Sequence, residues 1–401
     1  MGRALSMAVT DQEIMSRFPV GYYQLHSDVS LNFQMNRFYG WVGEEKMLDE
    51  MRAAGTWISS YDDWTREMLK LSDEALAAGR NLPAAYYSRG AQFFLDPADP
   101  RFKEALRRFL VNVEAGNGVT GDDRHLIPYQ QAKLSAYRFT PDRPRGTIVV
   151  FGGYDSYIAE WLPAAIAFRD AGLDTVIFDG PGQGTVLDAG TRMTPGWHRP
   201  VAAVLDYFSL SDVTLMGFSL GGCLVIRAAA YEPRVSRVIA WDILTDLFEL
   251  ATLGFAAPGL DVIAAHSGSI PDAVINAAVG EAVKTDLLTQ WVVSQGARVT
   301  GAATPAEVFR GWHEYTTGDV SPLVTKDVLL MAGTRDHYVP LRMLGDQVLT
   351  LTAAQSVTAR VFTEAEQAQN HCQIGNQGLA IQVILDWLDV VGGRAAERAS
   401  R

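Results

Sequence analysis

The chain has 401 residues, 48% hydrophobic and 20% charged, which is enough for about two folded units and excludes a disordered chain. Its 34 basic and 46 acidic side chains leave a net charge of -12 with no long Lys/Arg run, which argues against nucleic acid and anionic membrane surfaces as general partners. Two cysteines, Cys223 and Cys372, are too few for a disulfide-stapled secreted fold and point to a reducing, cytoplasmic setting.

The segment up to Phe18 holds no apolar run long enough for a signal peptide or a membrane span. A loose myristoylation pattern at Gly2 and Ser6 is of a kind that short sequences match by chance. From about residue 30 to 120 the pattern is helical. Apolar residues recur at three- and four-residue steps through EEKMLDEMRAAGTWISSYDDWTREMLKLSDEALAAG, residues 44–79. Gly79 and Asn81-Leu82-Pro83 punctuate it, and further helices follow in PAAYYSRGAQFFL and FKEALRRFLVNVEAG, the last ending near Gly116.

From about residue 126 short apolar runs alternate with helical stretches. SAYRFTPDRPRGTIVVFGG reads as strand, turn and strand, and TVIFDG, VTLMGFS, RVIAWD, DVLLMAG and ARVFTEA supply further strands. This spacing predicts an α/β fold, a mainly parallel sheet with helices on both faces. GLAIQVILDWLDVV is the expected final helix, with a frayed charged tail after Gly393. Between Asp242 and about Asp319 the alternation stops and several helices are expected, an insertion placed to act as a lid above the strand ends. The expected organisation is an N-terminal helical cap domain over residues 1–125 and a catalytic domain over 126–401, with the lid at about 243–319.

The central chemical signal is Gly217-Phe218-Ser219-Leu220-Gly221, between the strand-like VTLM and the helical CLVIRAAAYEP. A nucleophilic serine needs this strand–turn–helix context, because a sharp turn projects its hydroxyl from the sheet. Its base and orienting acid should follow in the order Asp, then His. Asp336 ends the run VLLMAGTRD, and His371 lies just past ARVFTEA, in a loop after the last strand. Asp327, at a strand start, is the competing acid. His337 neighbours Asp336 and so heads elsewhere, and the remaining histidines sit in the N-terminal part or in helical segments.

An oxyanion hole needs two backbone N–H donors. Leu220, directly after the nucleophile, is one candidate. Tyr154, in the loop after FGG, is the other, with Gly153 as its alternative. Gly180-Pro181-Gly182-Gln183-Gly184 lacks the Lys-Ser/Thr pair of a phosphate loop and reads as a tight turn beside the site. No His/Cys/Asp cluster has metal-ligand spacing, no cofactor is implied, and both cysteines read as structural.

The N-terminal helical region, GGYDSYIAE, FDGPGQG, GFSLGG, AGTRDHYVP and the final Glu-Ala-Glu…Asn-His-Cys together resemble the 2,6-dihydroxypseudooxynicotine hydrolase group of α/β-hydrolases, which includes fungal heptaketide-shortening pigment hydrolases. The resemblance covers nearly the whole chain. It implies a Ser219–Asp336–His371 triad and a helical domain closing over the core. It also implies a possible homodimer and cleavage of a C–C bond beside a carbonyl in an aromatic or polyketide-like ketone. Some members carry an additional carboxylate after the strand that follows the elbow helix. Asp242, Asp246 and Glu249 fall there, and Asp242, which ends RVIAWD, is favoured for substrate binding, with a helix-capping role equally open. Phe38, Tyr39 and Trp41 are candidates for lining the pocket, with packing between domains as the plainer role. The expected partner is a small molecule, hydrolysed at a ketone C–C bond, ester or lactone. Acyl transfer or cyclisation by the same triad is the alternative, and a non-catalytic binding module is a third reading.

Overall fold

The computed structural model describes residues 10–254 and 257–399, so the Gly2/Ser6 pattern lies outside the described residues. The N-terminal part holds α1 (Asp11–Met15), α2 (Val29–Gly40), α3 (Lys46–Gly55), α4 (Tyr61–Ala77), α5 (Asn81–Phe93) and α6 (Pro100–Gly116). The long helical stretch expected over 44–79 is two helices. Ser60 accepts a hydrogen bond from the Asp63 N–H and starts α4 afresh, a cap that satisfies an otherwise orphaned donor. Beyond it, Trp64, Met68, Leu71 and Ala75 form one buried stripe. Asp99 caps α6 in the same way, with Pro100 where its missing N–H costs nothing.

The sheet begins with β1 (Arg124–Tyr129) and β2 (Ala132–Phe139), then β3 (Gly146–Phe151), α7 (Leu162–Asp170), β4 (Leu173–Phe178), α8 (Gly184–Asp188), α9 (His198–Phe208), β5 (Val213–Phe218), α10 (Leu220–Ala229) and β6 (Val235–Trp241). The insertion follows as α11 (Leu247–Gly254), α12 (Leu260–Ala265), α13 (Asp272–Ala282), α14 (Leu287–Thr300) and α15 (Pro305–Trp312). The chain closes with β7 (Asp327–Gly333), α16 (Arg342–Thr350), β8 (Ser356–Phe362) and α17 (Gln377–Ala399). The strand order is β1-β2-β4-β3-β5-β6-β7-β8, with β2 antiparallel to its neighbours and the rest parallel.

Three details differ from the sequence-based expectation. β1 was not anticipated: its hairpin to β2 has no glycine, and Gln130 takes the positive φ of 52° that a tight turn needs. The expected domain division at residue 125 falls inside β1. The C-terminal tail after Gly393 continues as helix to Ala399.

Alternate residues of each strand serve opposite layers. Ile148, Val150, Met216, Ile239 and Leu329 join α7, α17 and the N-terminal helices in one apolar cluster. Val149, Phe151, Leu215, Val238 and Leu330 join α9, α10 and the insertion in the other. The chain turns to opposite sides of β3 at β4 and β5, so a crevice opens beyond the carboxyl ends of β3 and β5.

A buried ionic cluster ties the N-terminal helices to the core. Glu160, in the turn before α7, accepts from Arg37 of α2 at 2.7 Å and from Arg89 of α5 at 2.6 Å. Its backbone carbonyl accepts from the Tyr86 hydroxyl at 2.9 Å, and Arg37 also reaches Asp155 at 3.1 Å. Burial opposes ionisation of Glu160, but the two guanidinium charges prevail and hold its carboxyl below the usual range. Removing one partner strands buried charges, so Glu160→Ala is expected to cost about 3–5 kcal/mol, read from urea denaturation. Because the folded-state value is depressed, the contribution is full above about pH 4.3 and fades as acidification protonates Glu160, which a stability-versus-pH series checks.

Candidate active site

Ser219 joins β5 to α10 at φ 58° and ψ -122°, outside the favoured regions for a side chain. Its flanks explain the glycines. A Cβ on Gly217 would sit 2.0 Å from the Gly221 carbonyl oxygen, and one on Gly221 would sit 2.7 Å from that of Gly152. Only bare backbone fits. The Ser219 N–H donates to Trp241 O at 2.9 Å, so the end of β6 anchors the turn.

His371 reaches this hydroxyl from the loop after β8. Its Nε2 lies 2.9 Å from Ser219 Oγ and its Nδ1 2.6 Å from Asp336 Oδ2. The other oxygen of Asp336 accepts the N–H groups of Tyr338 at 2.7 Å and Val339 at 2.9 Å. In the neutral ring, a carboxylate at Nδ1 holds the single imidazole proton there, which leaves the Nε2 lone pair facing the serine. Burial works against the charged imidazole, yet the Asp336 charge raises His371 well above its ordinary value. Burial likewise opposes the Asp336 charge, and His371 overcomes it and holds the carboxyl low. Asp327, the competing acid, sits at the opposite end of β7, held by Ser356 and Gln355.

Leu220 and Tyr154 both line the cavity that opens at Ser219, and among the described residues neither backbone N–H donates to a protein acceptor. Gly153 packs against the elbow, where a Cβ would come 2.7 Å from Phe218 O. Gln183, from the glycine-rich loop after β4, donates to Gly152 O at 2.6 Å and Gly153 O at 3.1 Å, so that loop braces this segment.

The cavity measures about 110 Å³. Three parts of the chain wall it besides the core: Phe33 and Arg37 of α2, the Tyr154–Trp161 loop, and Trp291 and Trp312 of the insertion. Tyr39 does not line it. It packs edge-to-face on Tyr23, with ring centroids 5.7 Å apart. Phe33 and Arg37 are four residues apart and share a helix face, whereas Tyr39 is rotated by ~200° from Arg37. An arginine one turn after a phenylalanine, the one charged residue of VSLNFQMNRFYG, was the available signal. Phe38 is fully buried in the helical core, and Trp41 packs on Phe18 and Trp161.

Asp242 is also not at the cavity wall. It lies behind the imidazole, with Oδ2 3.2 Å from His371 Nδ1. His337, assigned another heading from sequence, does line the cavity, with its ring 4.7 Å from that of Phe33. Burial lowers it to about 4, so the ring is neutral at physiological pH. Asp242, His371 and Cys372 bring possible metal-ligand atoms within 4.8 Å of one another. Hydrogen bonds already hold this trio, and burial pushes the Cys372 thiol up to about 11, away from the thiolate a metal needs. Among the described residues no helix is long and apolar enough to cross a membrane.

No family model matches the chain. It is 29% identical to the hydrolase acrC of Aspergillus aculeatus, over 65% of this chain and 70% of that protein. It is 25% identical to the hydrolyase poxO of Penicillium oxalicum, over 80% and 84%. It is 28% identical to the 2,6-dihydropseudooxynicotine hydrolase of Paenarthrobacter nicotinovorans, over 48% of this chain and 56% of that one. The crystal structure of a 2,6-dihydroxy-pseudo-oxynicotine hydrolase superposes on 85% of this chain and 91% of its own with a TM-score of 0.60, at 22% identity, and shows the shared fold.

The Tyr154 hydroxyl lies 3.1 Å from Trp312 Nε1 and accepts its hydrogen bond. Tyr154→Phe strands that buried donor but keeps the backbone N–H. Stability is expected to fall by about 1–3 kcal/mol in denaturant titration, with kcat within about tenfold of wild type, because the change leaves the Tyr154 main-chain N–H at the cavity wall in place.

Proposed function

We propose that this chain, an α/β-hydrolase related to fungal hydrolases and to 2,6-dihydropseudooxynicotine hydrolase, attacks a carbonyl carbon of an aromatic or polyketide-derived small molecule with Ser219. The bond broken is a C–C bond of a ketone, or an ester or lactone C–O bond. The observation that carries the reading is the 2.9 Å approach of Ser219 Oγ to His371 Nε2, at the wall of an aromatic-lined cavity.

A serine hydroxyl is a poor nucleophile until a base takes its proton. In this reading His371 Nε2 takes it as Oγ bonds to the carbonyl carbon, and Asp336 balances the imidazolium charge. The Leu220 and Tyr154 N–H groups receive the oxyanion. Collapse expels the leaving group, which takes the proton from His371. For a C–C bond the leaving carbanion must be delocalised, as an enolate next to a second carbonyl or as a phenol-type system. Water, deprotonated by the same imidazole, then releases the acid and restores Ser219.

Two further assignments accompany this reading. The N-terminal helices act as a cap and the insertion as a lid, since α2 and α14–α15 supply much of the wall. Phe33, Trp291 and Trp312 offer flat apolar contact to a conjugated ring system. Arg37 and Asp155 are the charged groups at that wall, and Arg37 fits an oxygen substituent remote from the reacting carbonyl.

Ser219→Ala is expected to lower turnover of the natural substrate by a factor of the order of 10^6, and to abolish labelling by a fluorophosphonate. Undiminished turnover would remove the nucleophile assignment. In oxygen-18 water the acid product is expected to carry label. An unlabelled product would instead indicate transfer of the acyl group to an alcohol or amine.

A further inference from the structure

His371 has two carboxylates at one nitrogen. Asp336 Oδ2 lies 2.6 Å from Nδ1 and Asp242 Oδ2 lies 3.2 Å from it. Asp242 arrives from the end of β6 and Asp336 from the loop after β7, and these strands are parallel neighbours. Their carboxyl ends therefore deliver both acids to the same place.

Asp242 is built in from every side. It is fully buried, and its Oδ2 accepts the Cys372 N–H while its Oδ1 accepts Gln373 Nε2 at 3.0 Å. It thus grips the two residues that follow His371. Its own φ of 66° is left-handed, a conformation aspartate and asparagine tolerate better than other side chains. Gly222 completes the seat: a Cβ there would lie 2.1 Å from Asp242 O, so the elbow helix presses directly on this backbone. A buried carboxylate with no role at the cavity wall is costly, and this one is held by three groups of the base's own loop.

We propose that Asp242 is a second carboxylate of the charge relay, a positioning residue that orients His371, sets its proton affinity and takes over Nδ1 when Asp336 is lost. This rests on His371 being the base of the proposed reaction. The covalent chemistry is unchanged: the serine proton still moves to Nε2 and from there to the leaving group. What changes is the charge facing Nδ1. Burial, and then the Asp336 charge, raise the Asp242 carboxyl to about 7, so it exchanges its proton near neutral pH. Below that point one carboxylate faces the imidazole, and above it two. The titratable and charged groups facing the pair are Asp336, His337 and Tyr338 from the loop after β7, Cys372 beside His371, and Arg37 across the cavity.

The test compares the full-length protein with Asp242→Asn, Asp336→Asn, the double variant and His371→Ala. The readout is the second-order rate of Ser219 labelling by a fluorophosphonate from about pH 5 to 10. Loss of a sole triad acid costs roughly 10^4-fold. Here Asp336→Asn is expected to stay within about 100-fold of wild type, its rate rising as Asp242 ionises, and the double variant to fall to the His371→Ala rate. Asp242→Asn removes a negative charge from the imidazolium, so the acid limb of its profile is expected about half a pH unit or more lower than wild type. The downfield Nδ1–H resonance of the free protein should titrate lower by the same shift. A folded Asp336→Asn protein that labels no faster than His371→Ala overturns the proposal. So does an Asp242→Asn profile and resonance that superimpose on wild type. Failure of wild-type Ser219 to label would instead count against the proposed function, and the resonance would still report on Asp242.

Discussion

The turn at Ser219 is the constraint on which the site depends. A side chain at φ 58° and ψ -122° costs about 1–3 kcal/mol, and persists only where the surroundings leave no other path. Here backbone meets backbone on both sides. Gly217 faces Gly221, Gly221 faces Gly152, and Gly222 faces the carbonyl of Asp242. The elbow therefore docks at once on the loop after β3, which carries Tyr154, and on the end of β6, which carries Asp242. One strained turn fixes the positions of Ser219, the Tyr154 loop and Asp242 relative to one another.

The rest of the site is assembled from segments far apart in the chain. His371 hangs from the loop after β8, Asp336 from the loop after β7, and Phe33 and Arg37 come from a helix more than a hundred residues before the elbow. Glu160 makes this convergence rigid. It satisfies two buried guanidinium groups with one carboxylate, and its neighbour Trp161 lies against Phe218, the residue before Ser219, with ring centroids 3.5 Å apart. The N-terminal helices are thus coupled to the Ser219 turn through packed side chains.

Much of this was legible in the residues themselves. The five strands from TIVVF to DVLLMAG announce themselves because buried parallel strands are continuous apolar runs, whatever lies beside them, whereas the edge strand β8 alternates apolar and polar residues. The elbow is local: its glycines, strand and helix are contiguous. Asp336 and His371 could be chosen because the order of strands restricts which loops reach the crevice. β1 escaped because its turn is made by Gln130 rather than glycine, and the break before α4 because the Ser60 cap sits inside an unbroken apolar periodicity.

The sequence by itself determined the α/β architecture, the nucleophile candidate and the order of its partners, since each depends on periodicity or on neighbours in the chain. Only the tertiary structure decided which faces of the N-terminal helices meet the cavity. Helix rotation turned Phe33 and Arg37 inward and left Tyr39 in the packing. It also decided the place of Asp242. The sequence put that carboxylate near the site, but whether it faced substrate or imidazole depended on how the end of β6 meets a loop 130 residues later, a distance no local pattern encodes.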